Sequence, residues 1–194
     1  MAVRAEVEER RRILLSKVNH DLEDIDGWTQ NPALFEEYLK NCFTILGYDC
    51  LLTKKSGDMG GDIIVQKGKS RICIQAKCHG PNNSVGSSAV MEAYTGAAYY
   101  GSDCPMVITN RHFTRPAIQL ASRIGVQLWD REAMTTNLVL KMHKVLDYEI
   151  NRPNYSMKNL IVMLDDIRTP FPQASEKNVN IKYLIQLFRR LGGL

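Results

Sequence analysis

The sequence lacks several features that would place it in particular classes of protein. It contains no run of about 18 apolar residues that could cross a bilayer, and its first residues do not form the apolar core of a signal peptide. The five cysteines are scattered, odd in number and never spaced as CxxC. We therefore expect a cytoplasmic protein with reduced thiols and no membrane partner, and we do not expect a disulfide framework or a structural zinc site.

Charge of one sign is not in large excess either. The 25 basic and 21 acidic residues leave a formal net charge of +4, which favours contact with a polyanion without identifying one. The apolar content of 44% and the length of 194 residues suit one well-buried core with an appendage, or two small domains. Composition therefore does not identify a function.

An N-terminal helical segment is predicted over residues 1–30. Leu14, Val18, Leu22 and Ile25 are spaced as one narrow apolar stripe on a charged helix. Such a stripe either packs along the main domain or pairs with a second subunit, and the second alternative implies a dimer.

A second helix is marked at both ends. Asn31 is suited to cap it, Pro32 to open its first turn, and Gly47 to close it in a left-handed conformation. Its apolar face comprises Leu34, Phe35, Tyr38, Leu39, Cys42, Phe43 and Leu46. At about 100° per residue, Glu36 falls at the border of that face and Glu37 falls opposite it. We expect Glu36 to face a neighbouring cleft and Glu37 to face water.

Three strands are predicted next, at about 48–54, 62–66 and 71–78. The turn Lys67–Ser70 between the last two indicates an antiparallel hairpin. Alternating helices and strands follow. The first helix is capped by Ser87 or Ser88 and closed by Gly101, and a strand Met106–Thr109 comes after it. A helix capped by Thr114 ends near Gly125, a strand Val126–Trp129 follows, and a last helix capped by Asp130 reaches about Tyr148. Because strand–helix–strand crossovers are parallel, this order predicts an α/β fold with a mixed central sheet flanked by helices.

The composition shifts after residue 150, which separates a core domain over residues 31–150 from a helical C-terminal extension over residues 151–194. Helices are predicted there at 155–167 and 176–191. The apolar face of the second is expected to pack on the core or on another subunit.

The chemistry-bearing residues lie in the predicted hairpin. Alternation along strand 71–78 places Gln75 and Lys77 on one face, about 6.6 Å apart. Gly60 and Gly61 permit a tight bend and a close backbone approach, which leaves Asp62 at the mouth of the partner strand. An in-register hairpin therefore brings Asp62 beside Gln75 and Lys77.

This grouping suits hydrolysis of a phosphodiester with Mg²⁺ or Mn²⁺. Such cations take oxygen ligands and need only one or two carboxylates from the protein. Asp62 supplies a carboxylate, Gln75 an amide oxygen and Ala76 its carbonyl, and Glu36 is a candidate second carboxylate. Lys77 would stabilise the transition state or orient the attacking water.

Other residues give weaker signals. Asp58 is more simply a turn former than a ligand, and Glu92 more simply an exposed glutamate than a site residue. Cys78 and His79 have no partners at metal-site spacing. Two basic groups are candidates for phosphate contacts beside the cleft: Lys54, Lys55, Lys67, Lys69 and Arg71 around the hairpin, and Arg111, His112 and Arg115 at a later helix start.

Asp62 followed by Gln75-Ala76-Lys77 resembles the PD-(D/E)XK nuclease signature in its Mrr-like variant, in which glutamine replaces the acidic residue. The resemblance extends over about residues 32–135. Further matching segments are Phe35-Glu36, Leu46-Gly47-Tyr48, Ser56 to Asp62, Thr109-Asn110, Phe113-Thr114, Ala117, Ala121, Gly125 to Leu128 and Asp130-Arg131. The predicted order of elements is also that of the restriction-endonuclease-like core.

The resemblance implies a role for each matching residue. The metal-binding aspartate of the family falls on Asp62, its glutamine on Gln75, its lysine on Lys77, and the glutamate of its first helix on Glu36. The implied activity is a DNA endonuclease that uses Mg²⁺ or Mn²⁺ in restriction or phage defence, with a dimer serving the two strands. Two alternatives stay open: a non-catalytic DNA- or protein-binding module of the same fold, and an effector nuclease subunit of a multi-protein defence complex.

Overall fold

The computed structural model describes residues 2–53 and 59–150. The chain divides into two compact units, residues 1–145 and residues 146–194. The predicted helices at 155–167 and 176–191 lie outside the described residues, as do Lys54, Lys55 and Asp58.

The described residues form six α-helices and five strands. The helices are α1 (Ala2–Gly27), α2 (Pro32–Ile45), α3 (Ser87–Tyr100), α4 (Arg115–Ile124), α5 (Arg131–Met134) and α6 (Leu140–Ile150). The strands are β1 (Asp49–Leu52), β2 (Ile63–Lys67), β3 (Ser70–Lys77), β4 (Cys104–Thr109) and β5 (Gln127–Trp129). A 3₁₀ turn, Trp28–Gln30, follows α1, and a π-helical turn, Thr135–Val139, joins α5 to α6. None of the described helices has both the length and the apolar character needed to span a membrane.

The strands form one mixed sheet in the order β1-β2-β3-β4-β5. β2 is antiparallel to both β1 and β3, and β4 is parallel to β3 and to β5. The predicted hairpin is confirmed, with Lys67 opposite Ser70 and Ile63 opposite Ile74. Asp62 lies immediately before β2 rather than inside it, so the register of the hairpin places it level with Gln75.

Helices cover both faces of the sheet. Leu128 of β5 packs against the apolar cluster formed by α3, α4 and Val107 of β4. The next residue, Trp129, stacks on Phe43 of α2 with ring centroids 6.1 Å apart. Consecutive residues of a strand point to opposite faces, so α2 and the α3–α4 pair lie on different sides. The predicted α/β architecture is therefore confirmed.

Most predicted helix ends are correct. The side chains of Thr114 and Asp130 accept hydrogen bonds from the third residue of their helices, and Gly101 closes α3 with a φ of 60°. Asn31 occupies the N-cap position of α2, but its side chain makes no capping hydrogen bond.

The predicted cap of α3 is wrong by one residue. Gly86 is the N-cap, and neither Ser87 nor Ser88 caps the helix. The reason lies in the preceding residue, because Val85 bridges to Phe113 as a short extended segment. That bridge keeps Gly86 extended and starts the helix directly after it.

The apolar stripe of α1 packs along the main domain. Val18 and Ile25 are buried, while Leu14 and Leu22 are half-buried. Asp21, which the apolar pattern did not single out, is only 5% exposed on the same helix.

The carboxylate of Asp21 links three helices. Its Oδ2 accepts a hydrogen bond from the Tyr38 hydroxyl at 2.8 Å and lies 3.0 Å from His143 Nε2. These partners come from α2 and α6, so a buried polar cluster holds α1 against them. Burial of a carboxylate without such partners would cost free energy, so the cluster favours the one arrangement of the three helices that supplies them.

Candidate active site

Asp62 is held by the backbone and side chain of β3. Its amide donates to the Ile74 carbonyl at 2.9 Å, which extends the hairpin ladder by one bond. Its Oδ2 accepts hydrogen bonds from the Ala76 amide at 2.7 Å and from Gln75 Nε2. The carboxylate therefore has a fixed orientation at the end of the sheet.

Gln75 adopts a different contact from the one predicted. Its side chain is 4% exposed, and its amide nitrogen faces the Asp62 carboxylate, which can only accept. Because the nitrogen and the oxygen share one planar carbon, this bond also fixes the direction of the amide oxygen. Gln75 is thus a positioning partner of Asp62, and its role as a metal ligand stays a prediction.

A cleft of about 360 Å³ opens beside these residues. Its lining residues are Pro32, Glu36, Gly60, Asp62, Gln75, Ala76, Lys77, Cys78, His79 and Glu92. Every residue that the sequence assigned to the site is among them, so the structure brings Glu36 of α2 together with the hairpin. Glu37 does not line the cleft, but it is half-buried rather than fully exposed, so its helix is more enclosed than the apolar pattern predicts.

The expectation for Glu92 is wrong. Its Oε2 lies 2.6 Å from Lys77 Nζ, and its side chain lines the cleft. The pair is half-buried, with 26% of the Lys77 side chain and 40% of the Glu92 side chain exposed. Glu92 therefore belongs to the site.

Two glycines, Gly60 and Gly96, explain how α3 brings Glu92 so close, and a third, Gly61, packs against β3. A Cβ on Gly60 would lie 2.3 Å from the Glu92 carbonyl oxygen, and one on Gly96 would lie 2.7 Å from the Gly60 carbonyl. Gly60 also has a φ of 92°, which favours glycine. A Cβ on Gly61 would lie 2.5 Å from Cys73 Sγ. The turn that presents Asp62 thus packs directly on the backbone of α3.

A polar clamp holds the segment that follows β3. The Asn110 side chain accepts from the His79 amide at 2.9 Å and donates to the His79 carbonyl at 3.1 Å. Arg111 Nε donates to the same carbonyl at 2.9 Å. Both Arg111 and Arg131 pair with Asp26 Oδ1, at 3.0 and 2.8 Å. The end of α1 is thereby tied to the wall of the cleft.

The clamp gives a structural role to Arg111, one of the predicted phosphate contacts. Arg111 is engaged with Asp26 and with two backbone carbonyls, so it serves the structure of the cleft wall. No single-sequence pattern distinguishes it from the exposed His112 and Arg115, because its partners are distant along the chain.

The basic residues of the hairpin turn also differ from expectation. Lys67 donates to the Leu46 carbonyl at 2.9 Å and lies over the Tyr48 ring. Arg71 is six residues from Lys77 along β3, about 20 Å at the rise of a strand. Lys67, Lys69 and Arg71 are therefore at the opposite end of the hairpin from the cleft.

The thiols nearest the site are poor nucleophiles. Burial raises the pKa of Cys73 to about 12, with a further contribution from the Asp62 charge, and burial raises that of Cys78 to about 11. Cys78 Sγ donates to the Ile25 carbonyl at 3.4 Å. Both thiols therefore favour the protonated form, in which cysteine is a weak nucleophile.

The donor atoms of the cleft fit a hard divalent cation. The side chains of Glu36, Asp62, Glu92 and Gln75 and the backbone of Ala76 line it, and their carboxylate, amide and carbonyl oxygens are ligands of the kind that Mg²⁺ uses together with several waters. Within residues 2–53 and 59–150, no group of three or more His, Cys, Asp or Glu side chains is arranged to hold a metal ion. The fit therefore depends on mixed ligands rather than on a carboxylate or histidine cage.

Comparison with solved structures finds the same fold. The DNA modification-dependent restriction endonuclease AspBHI matches with a TM-score of 0.51 at 18% identity, over 79% of this chain and 40% of its own. The MspJI restriction endonuclease, solved in complex with a 27-mer oligonucleotide, matches with a TM-score of 0.50 at 17% identity, over 88% of this chain and 39% of its own. This chain thus spans about two fifths of either enzyme.

A third structure, a protein of unknown function called AF1548, has a TM-score of 0.48 at 14% identity and covers 80% of this chain and 78% of its own. Comparison with curated protein sequences finds no match. The family model for the Mrr_cat restriction endonuclease domain matches residues 29–138, more than half of the chain, so the chain belongs to this restriction endonuclease family.

Proposed function

We propose that the protein is a metal-dependent endonuclease that hydrolyses phosphodiester bonds of DNA. The observation that carries the proposal is the convergence of Asp62, Gln75 and Lys77 on one cleft, with Asp62 held by two N–H donors from β3. Membership of a restriction endonuclease family supports the same reaction class.

Mg²⁺ or Mn²⁺ is the proposed cofactor, and Asp62, Glu36, the Gln75 amide oxygen and the Ala76 carbonyl are its proposed ligands. When bound, the cation would neutralise phosphate charge and lower the pKa of water. Gln75 also keeps the Asp62 carboxylate in one orientation, which reduces the cost of assembling the site.

Lys77 acts on the reacting phosphate in this proposal. Water attacks the phosphorus and gives up a proton, the bond from phosphorus to one sugar oxygen breaks, and the leaving oxygen takes up a proton, so that one water is consumed for each bond cut. The Lys77 ammonium stabilises the negative charge that grows on the phosphate oxygens, or orients the attacking water. Removal of one such electrostatic contact typically costs about 10²–10³-fold in rate.

The proposed setting is restriction or phage defence in the cytoplasm. DNA as substrate is supported by the family and by the oligonucleotide bound to the similar enzyme MspJI. We assign the site to the core at 31–150, and we propose that the protein acts as a dimer or with a defence partner protein, with segment 151–194 as the proposed point of contact.

The test is cleavage of supercoiled and linear DNA with Mg²⁺, Mn²⁺ or EDTA. Wild type is expected to cut only with metal, and Asp62→Ala and Lys77→Ala to lose at least about 10²-fold in rate. Glu132→Ala, at an exposed residue of α5, is the matched control and should retain activity. Equal cleavage by all variants would refute the site, and tight DNA binding without any cleavage would favour a non-catalytic module.

A further inference from the structure

The ion pair between Lys77 and Glu92 is the contact of the cleft that no sequence motif assigned. It joins the end of β3 to α3, with 2.6 Å between Nζ and Oε2. We propose that Glu92 is a positioning residue that holds the Lys77 ammonium for the reaction. This inference rests on the nuclease function proposed above.

Stability alone does not account for the pair. Ion pairs between side chains that are this exposed contribute at most about 1 kcal/mol, because water screens them and two long side chains lose freedom. Lysine is a flexible cation on a four-carbon stem, so its ammonium has no fixed position without a partner. The principal effect of the Glu92 carboxylate is therefore to define where Lys77 Nζ lies.

The carboxylate can define that position because its own helix is fixed. The backbone of Glu92 touches the turn that presents Asp62, at a distance that leaves no room for a Cβ on Gly60. Gly96, one turn further along α3, makes the same close approach. The turn that carries Asp62 and the helix that carries Glu92, the partner of Lys77, therefore belong to one packed unit.

Charge gives Glu92 a second effect. The cleft contains three carboxylates, those of Glu36, Asp62 and Glu92, and the Lys77 ammonium, a formal balance of −2 that suits a divalent cation. An ammonium beside a divalent cation is repelled by it. With a cation bound, Glu92 would offset that repulsion, and it offers Lys77 an acceptor other than Asp62.

The experiment compares kcat, KM for DNA and the metal concentration for half-maximal rate in five proteins: wild type, Glu92→Ala, Glu92→Gln, Lys77→Ala and the control Glu132→Ala. Misplacement of a catalytic group by about 1 Å costs about 10²-fold. We expect kcat of Glu92→Ala to fall about 10–100-fold, KM for DNA to stay within about 2-fold, and saturating Mn²⁺ to leave the loss in place. Glu92→Gln keeps a neutral acceptor and should recover part of kcat.

Each outcome decides for or against the inference. A kcat of Glu92→Ala within about 2-fold of wild type overturns it, provided that Lys77→Ala is inactive. Full recovery of Glu92→Ala at saturating Mn²⁺ also overturns it, because Glu92 would then be a metal ligand. If Glu92→Ala does not fold, the same thresholds apply to Glu92→Ser, which also removes the carboxylate. Absence of metal-dependent cleavage by wild type refutes the proposed function itself, and the inference with it.

Discussion

Substitution of Gly96 by alanine tests whether the packing of α3 sets the geometry of the site. The new methyl group would lie 2.7 Å from the carbonyl carbon and oxygen of Gly60 and 2.8 Å from the Gly61 nitrogen. Ordinary van der Waals contact begins near 3.4 Å, so the helix and the turn have to separate by about 0.7 Å. Both neighbours are backbone, so no side chain can rotate away.

The same change affects stability and activity to different extents. Overpacking costs about 1–3 kcal/mol, and replacement of an interior helical glycine by alanine returns about 1 kcal/mol, so the net loss is at most about 2 kcal/mol. A domain of ordinary stability stays folded after such a loss. The displacement moves Glu92 away from the turn that presents Asp62, which should lower the cleavage rate about 10–100-fold.

The assay is single-turnover cleavage of DNA with Mg²⁺, together with thermal unfolding of the same preparations. Gly27→Ala is the matched control, because a Cβ there would have no neighbour within 4 Å. A Gly96→Ala protein that cuts DNA within about 2-fold of wild type would show that the position of α3 does not control the site. Equal losses of rate in both variants would refute the reasoning as well.

Three further predictions concern the interior. Gln75→Glu replaces the hydrogen-bond donor to Asp62 by a second carboxylate. Without metal, the variant should therefore unfold at a lower temperature than wild type, and Mn²⁺ should raise its unfolding temperature more than it raises that of wild type. The absence of both differences would contradict this prediction. Asp21→Ala leaves two buried groups, the Tyr38 hydroxyl and His143 Nε2, without their hydrogen-bond partner. The free energy of unfolding measured by urea titration should fall by about 3–5 kcal/mol, and a fall of less than about 1 kcal/mol would contradict this prediction. Burial raises the pKa of Cys42 well above its usual value and that of Cys73 to about 12, so neither forms much thiolate below pH 9 while folded. Alkylation of Cys42 and Cys73 at pH 8 should therefore be much slower in the native protein than in urea, and equal rates in the two conditions would refute this prediction.

The core of the site was predictable because its geometry is local. Alternation along one strand places Gln75 and Lys77 on the same face, and a short turn fixes the register that brings Asp62 beside them. The N-terminal ends of α2 and α4 were predictable for the same reason, because Pro32 and Thr114 act on residues that are their neighbours in the sequence.

Glu92 was not predictable in the same way. Its role depends on how closely α3 approaches a turn some thirty residues earlier, and the residues that permit the approach, Gly60 and Gly96, have no side chain to form a pattern. The cluster around Asp21 has the same origin, because its partner His143 is 122 residues away along the chain. Contacts of this kind follow from packing, and periodicity does not report them.

The decisive test of the proposed metal site is the anomalous difference map of a crystal soaked in Mn²⁺. We expect a peak in the cleft, within ligand distance of Asp62 and with Glu36 on its other side, and we expect Asp62→Ala to abolish this peak. A fully soaked crystal with no manganese in the cleft, from a preparation that cuts DNA, would refute the metal site.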